Sequence, residues 1–277
     1  MYIVADIGST NTRIAGSTSD GQLTDPIIVP TPKSYTDGLA HIVTTAREIA
    51  EGEKIESVAI GLPARLNPDR RSIFKVRYLP DWDGKEIAND IESALSTHVL
   101  LENDTMQVGL GEAVYGAGKG ASIVVYMTVS TGVNAVRIVD GHIEPYTYGY
   151  ETGFQYIQSG ESNKELVGLG SIIAGSAICK RFDVASPRDL GKDHPVWEEL
   201  ARYTAIGLHN TIVHWSPERV VLGGSMFNEI GISVARVEAH LQDIMQAFPT
   251  IPQIVHSNLG DIGGLYGGLA RIKNVSL

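Results

Sequence analysis

The chain has 277 residues, 43% of them hydrophobic and 19% charged, and this length accommodates two α/β lobes. A net charge of −10, from 22 Lys and Arg against 32 Asp and Glu with no basic cluster, argues against nucleic-acid or anionic-membrane binding. The single cysteine, Cys179, leaves no internal disulfide and no Cys-rich zinc knuckle; no apolar run is long enough to span a bilayer. The first strand begins at Tyr2 with no basic leader before it, so a cytoplasmic location is expected.

The opening stretch, Tyr2 to Ser17, reads as a strand, a tight turn and a return strand. Asp6 ends the first strand. Gly8, Ser9, Thr10 and Asn11 supply hydroxyls, small side chains and free N–H groups, a composition that wraps a phosphate. Asp6 can hold Mg²⁺ directly or through water. The alternative is an ordinary hairpin whose Asp and Ser satisfy the turn.

Ser19-Asp20-Gly21 is a turn, and 27–30 a third strand. Leu39, Ile42, Val43, Ala46 and Ile49 form one stripe of a helix over 36–51, which Gly52 stops. A strand over 56–61 leads into a long polar loop, 62–71. Asp83 is the expected cap of a helix over 85–96. A short strand, 99–101, ends in Glu102-Asn103-Asp104, and a helix follows to about Tyr115.

Gly116 to Gly120 reads as a lobe boundary, which divides the chain into 1–116 and 117–277. The second half opens as the first did: a buried strand over 122–129, a Ser130-Thr131-Gly132 turn and a strand over 133–139. Asp140-Gly141 is a hairpin turn. Residues 143–158 are irregular and aromatic. Helices are expected over 165–182 and 195–214, and a strand over 219–222 runs into Gly223-Gly224-Ser225. A stripe of Ile230, Val234, Val237, Leu241 and Ile244 marks another helix. A strand over 253–256 and a helix over 263–272 close the chain, the last helix a candidate to pack back on the first lobe. The halves look duplicated, each presenting a strand–turn–strand to a shared nucleotide cleft.

Five segments in this order, DIGST at 6–10, END at 102–104, TVSTG at 128–132, VVLGGS at 220–225 and LGDIGGLYGG at 259–268, resemble the ROK family of sugar kinases. The resemblance implies the two-lobed, actin-like (ribonuclease H-like) ATPase fold and ATP with Mg²⁺ as cofactors. It makes Asp6 to Thr12 (Asp6, Gly8, Ser9, Thr10, Asn11, Thr12) the first phosphate motif, with Asp6 near Mg²⁺. Thr131 and Gly132 become the second phosphate loop, and Gly223, Gly224 and Ser225 the wall of the adenosine site. Asn103 and Glu151 are implied to bind the sugar, beside the loop at Pro63 and Ala64, and Asp104 to be the catalytic base. On its residues alone Asp104 also reads as a helix N-cap.

The sugar half departs from the family pattern. The family's E-x-G-H reads Glu151-Thr152-Gly153-Phe154, so the His that binds sugar and zinc is Phe154. Gln158 to Asn163 replaces the Cys-rich zinc loop, and Gly170 falls where a further sugar-binding Glu stands. Pro63-Ala64 replaces the usual P-G. Zinc is therefore not expected. The leading reading is an ATP-dependent kinase of a sugar or amino-sugar hydroxyl, acting as a homodimer. The alternative is a non-catalytic sugar or nucleotide sensor. The repressor form of the family carries an N-terminal winged helix and is not expected here.

Overall fold

The computed structural model describes residues 1–18, 21–76, 78–159 and 166–275. In chain order its elements are β1 (Tyr2–Ile7), β2 (Asn11–Ser17), β3 (Ile27–Pro30), α1 (Tyr35–Ala50), β4 (Ser57–Leu62), β5 (Ala64–Leu66), β6 (Ile73–Val76), α2 (Ile87–Leu95), β7 (His98–Asn103) and α3 (Asp104–Val114). Then come β8 (Ile123–Val129), β9 (Val133–Val139), β10 (His142–Ile143), β11 (Tyr156–Ser159), β12 (Leu166–Gly168), α4 (Gly170–Ile173), α5 (Gly175–Phe182), α6 (Val196–Trp215), β13 (Arg219–Gly223), α7 (Val234–Ile244), β14 (Gln253–His256) and α8 (Gly263–Val275).

These elements form two compact units. The first comprises 1–116, 141–149 and 259–277; the second comprises 117–140 and 150–258.

In the first unit a five-stranded sheet has the order β3-β2-β1-β4-β7. The hairpin strands run antiparallel, whereas β1, β4 and β7 are parallel. Parallel strands are covered on both faces and so read as continuous apolar runs, as in Val58-Ala59-Ile60. One face packs on α1 and α2 through Ile3, Ala5, Ile42, Ala46, Ile60 and Ile91. The other packs on α8 through Val4, Ala15, Ala59, Leu265, Leu269 and Ile272. Helices α3 and α8 approach so closely that a Cβ at Gly267 would lie 1.7 Å from the Gln107 carbonyl oxygen. The buried Glu112 carboxylate of α3 accepts the Leu259 N–H at 2.9 Å, which anchors the chain just ahead of α8.

The second unit repeats the plan. Strand β9 pairs antiparallel with β8, and β8, β13 and β14 run parallel. Its core joins Val125, Met127, Val220 and Leu222 to Leu200, Leu208, Val237 and Leu241 of α6 and α7.

Three local expectations change. The polar loop 62–71 contains β5, which pairs with β6 to make a small hairpin. Asp83 does not cap α2: its carboxylate accepts the Val76 N–H at 2.7 Å and pairs with Lys75, and α2 starts later, after Glu86. The helix expected over 165–182 is instead β12, a single turn (α4) and α5. Ala174 breaks it, extended at φ −64° and ψ 143°. The turn at Ser19-Asp20 and most of the segment replacing the zinc loop lie outside the described residues.

Candidate active site

In the first unit the turn after β1 is closed by Gly8, whose N–H donates to the Asn11 carbonyl at 2.8 Å. A Cβ at Gly8 would lie 2.9 Å from that same oxygen, so only glycine lets the turn shut this tightly. Ser9, Thr10 and Asn11 form the tip and flank of the turn, with Thr10 exposed. Thr12 lies just past the turn. It is buried in β2, and its hydroxyl shares a 3.0 Å hydrogen bond with that of Thr31, which in turn donates to the Gly8 carbonyl at 2.8 Å. Thr12 therefore braces the turn from below. Lys33 donates to the Ser9 carbonyl at 3.1 Å and brings a cation to the turn.

Asp6, one residue before the end of β1, pairs directly opposite Arg13 of β2. Arg13 donates to Asp261 at 3.0 Å, so three charged groups gather where α8 begins. The Asp6 carboxyl is pushed up to about 7, first by burial, then by the charge of Asp104; Arg13 opposes the rise and Asp261 adds to it. Among the described residues no three His, Cys, Asp or Glu side chains converge on one metal position. The donor set at Asp6 suits a hard cation held by one carboxylate and completed by water and phosphate oxygens.

The junction of β7 and α3 presents Asn103 and Asp104 together. Asn103, rather than Asp104, is the N-cap: its side-chain oxygen accepts the Thr105 N–H at 3.0 Å. Its amide nitrogen donates to the Ala64 carbonyl at 3.2 Å and ties the helix start to the Pro63-Ala64 loop. Asp104 is the first helical residue, and its Oδ1 accepts the Thr105 N–H at 2.7 Å.

In the second unit the Ser130-Thr131-Gly132 turn is closed by a 2.8 Å bond from the Ser130 N–H to the Gly132 carbonyl. Thr131 is exposed, and a Cβ at Gly132 would meet nothing within 4 Å. The Ser130 carbonyl accepts the N–H of Gly175 at 2.7 Å, which clasps the start of α5 to the turn. The Ser130 and Ser225 hydroxyls lie 3.0 Å apart, so the Ser130-Thr131-Gly132 turn and the Gly223-Gly224-Ser225 segment meet. The two glycines serve their own sheet. A Cβ at Gly223 would lie 2.6 Å from the Tyr126 hydroxyl; one at Gly224, whose φ is +96°, would lie 2.4 Å from the Val129 carbonyl.

Glu151 precedes a short turn, 152–154, held by a 3.1 Å bond from the Thr152 N–H to Asn134 Oδ1. Phe154, at the position of the family His, is 66% exposed. A Cβ at Gly170 would lie 3.1 Å from the Gly153 carbonyl, so the two altered positions are neighbours. Thr31 and Lys33 lie outside every motif segment and reach the first turn only through folding.

Two parallel-stranded sheets, each with an antiparallel hairpin carrying a small-residue turn, define the duplicated α/β plan of the actin-like ATPases. The sequence matches the ROK family over residues 2–154 and 170–275, and the chain belongs to that family. It is 25% identical over 287 residues to a fructokinase of Pediococcus pentosaceus, covering 97% of this chain and 98% of the relative. It is 26% identical over 311 residues to a glucokinase of Thermotoga maritima, covering 98% and 96%. The crystal structure of the ROK hexokinase from Thermus thermophilus superimposes with a TM-score of 0.86 at 24% identity, covering 99% of both chains.

Proposed function

We propose that this protein transfers the γ-phosphoryl group of ATP to a hydroxyl of a sugar or amino sugar, with Asp104 as general base. The observation that carries this reading is the β7–α3 junction. It places Asn103 and Asp104 side by side and ties Asn103 to the Pro63-Ala64 loop. In this reading Asn103, Glu151 and the 63–64 loop hold the sugar. Asp6, the Gly8–Asn11 turn, Thr131, Gly132 and Gly223 to Ser225 hold the nucleotide. Asp6 would hold Mg²⁺, which would supply neutralisation of the phosphate charge. The hydroxyl oxygen forms its bond to the γ-phosphorus as the bond to ADP breaks, and Asp104 takes the released proton. A kinase core of two lobes, 1–116 and 117–277 with the last helix returned to the first, working as a cytoplasmic homodimer, completes the proposal. The fructokinase, glucokinase and hexokinase names of its relatives support the acceptor class.

The test is coupled ADP release over a panel of hexoses, amino sugars and small polyols. Asp104→Asn keeps size but removes the base, so kcat on the best acceptor should fall by about 10²–10⁴-fold with ATP affinity nearly unchanged. An Asn variant within a few-fold of wild type would defeat the assignment of the base. Sugar binding without turnover by any acceptor would favour the sensor.

A further inference from the structure

Glu102 stands at the end of β7, one residue before Asn103, and is fully buried. A carboxylate removed from water must be compensated, and four segments supply its partners. Oε1 accepts the Asn103 backbone N–H at 2.9 Å and the Tyr146 hydroxyl. Oε2 accepts from Arg271 of α8, and the Arg70 guanidinium lies 3.7 Å away. That guanidinium also stacks over the Tyr146 ring, 4.2 Å from its centroid. Arg70 itself holds a left-handed backbone, φ +55°, uncommon outside glycine. Burial and the Glu102 charge hold the Tyr146 phenol well above its ordinary range, so it stays a donor.

We infer that Glu102, clamped by Arg70, Tyr146 and Arg271, is the positioning residue for the Asn103-Asp104 pair. The bond to the Asn103 N–H fixes the Glu102–Asn103 peptide plane, which sets the Asn103 Cα directly and Asp104 through the next peptide. Arg70 ties the same carboxylate to the β5–β6 hairpin, whose Ala64 carbonyl is already bound to Asn103. The sugar loop and the catalytic carboxylate are therefore set by one buried charge. A buried ion pair is often no more stabilising than apolar residues of the same volume. Its position beside Asp104 gives the cluster a purpose beyond folding. The inference rests on Asp104 being the base.

The experiment compares full-length wild type, Glu102→Gln, Tyr146→Phe and Asp104→Asn with ATP and the best acceptor of the panel. A misplacement of about 1 Å at a reacting group costs on the order of 10²-fold. Glu102→Gln should therefore lower kcat by about that factor, and Tyr146→Phe, which deletes one hydroxyl, by about tenfold on the same reasoning. The KM for ATP should stay within about two-fold in both if only Asp104 placement is lost. If Glu102→Gln does not fold, Tyr146→Phe decides. Wild-type kcat in folded variants, even with a lowered Tm, overturns the inference while inactive Asp104→Asn leaves the base in place. An active Asp104→Asn overturns the base and the inference with it.

Discussion

Gly264, in the first turn of α8, is pressed against Asp6: a Cβ there would lie 2.7 Å from the Asp6 Cγ and 2.8 Å from its Oδ2. Both atoms belong to a side chain hemmed in by Arg13 and α8, so a methyl group displaces the carboxylate. Gly264→Ala should lower kcat by about 10²-fold, the usual scale for a group moved by about 1 Å. The overpacking should also cost about 1–3 kcal/mol. Steady-state kinetics and denaturant unfolding on the same preparation separate the two effects. Wild-type kcat would show that Asp6 placement does not matter to the reaction.

Burial and the Asp104 charge push the Asp6 carboxyl up to about 7, so protons would compete with a Mg²⁺ held there as proposed. Affinity for Mg²⁺–nucleotide should fall about tenfold per pH unit below 7, the limit for one competing proton. Calorimetric titrations between pH 5.5 and 8 give the slope, and Asp6→Asn should abolish it.

The same raised value destabilises the fold. Its sign is that of a carboxyl that binds its proton more tightly folded than unfolded. The penalty is complete above about pH 7 and is relieved as the pH falls toward the ordinary value of 3.8. Asp6→Asn should therefore raise Tm in the ligand-free protein at pH 8, with the gain shrinking toward pH 4. A gain independent of pH would refute the linkage.

Phe154 and Gly170 lack the polar groups that would satisfy glucose hydroxyls, and a desolvated hydroxyl without a partner is penalised. Glucose should trail the best acceptor of the panel. Phe154→His should improve kcat/KM for glucose by about tenfold, the worth of one hydrogen bond. Glucose as the best acceptor of the wild-type protein would contradict this account.

Zinc of the family's kind needs several thiolates or imidazoles at fixed spacing, and the chain has one cysteine. Elemental analysis of untagged protein should find far less than one zinc per chain. A stoichiometric value would overturn the expectation.

Elements whose signal is local were legible in the sequence. The stripe of α1 and the Asp140-Gly141 turn, with φ of +49° and +75°, follow from periodicity and turn chemistry alone. Elements decided by distant partners were not. Strands β5 and β6 are three and four residues long, with Arg65 and Phe74 exposed, and only their mutual pairing makes them strands. Asp83 had the chemistry of a cap, but β6 claims its carboxylate. At the site, END stood out through the family resemblance and the hydroxyl turns by composition. The braces, Thr31 under Gly8, Arg13 beside Asp6 and Arg271 on Glu102, come together only when the chain is folded. Gly223 and Gly224 were legible as small but not as the sites of approach by Tyr126 and Val129.

The first unit is finished by the last stretch of the chain, since α8 covers Val4, Ala15 and Ala59. A ribosome must therefore make every residue of the second unit before that face of the first sheet can be shielded. At about 5–20 residues per second the nascent chain carries this bare apolar strip for many seconds after β4 emerges. The second unit, its residues all lying within 117–258, is free to fold first. The emergence of α8, rather than the appearance of the opening hairpin, sets the moment at which Asp6 acquires its surroundings.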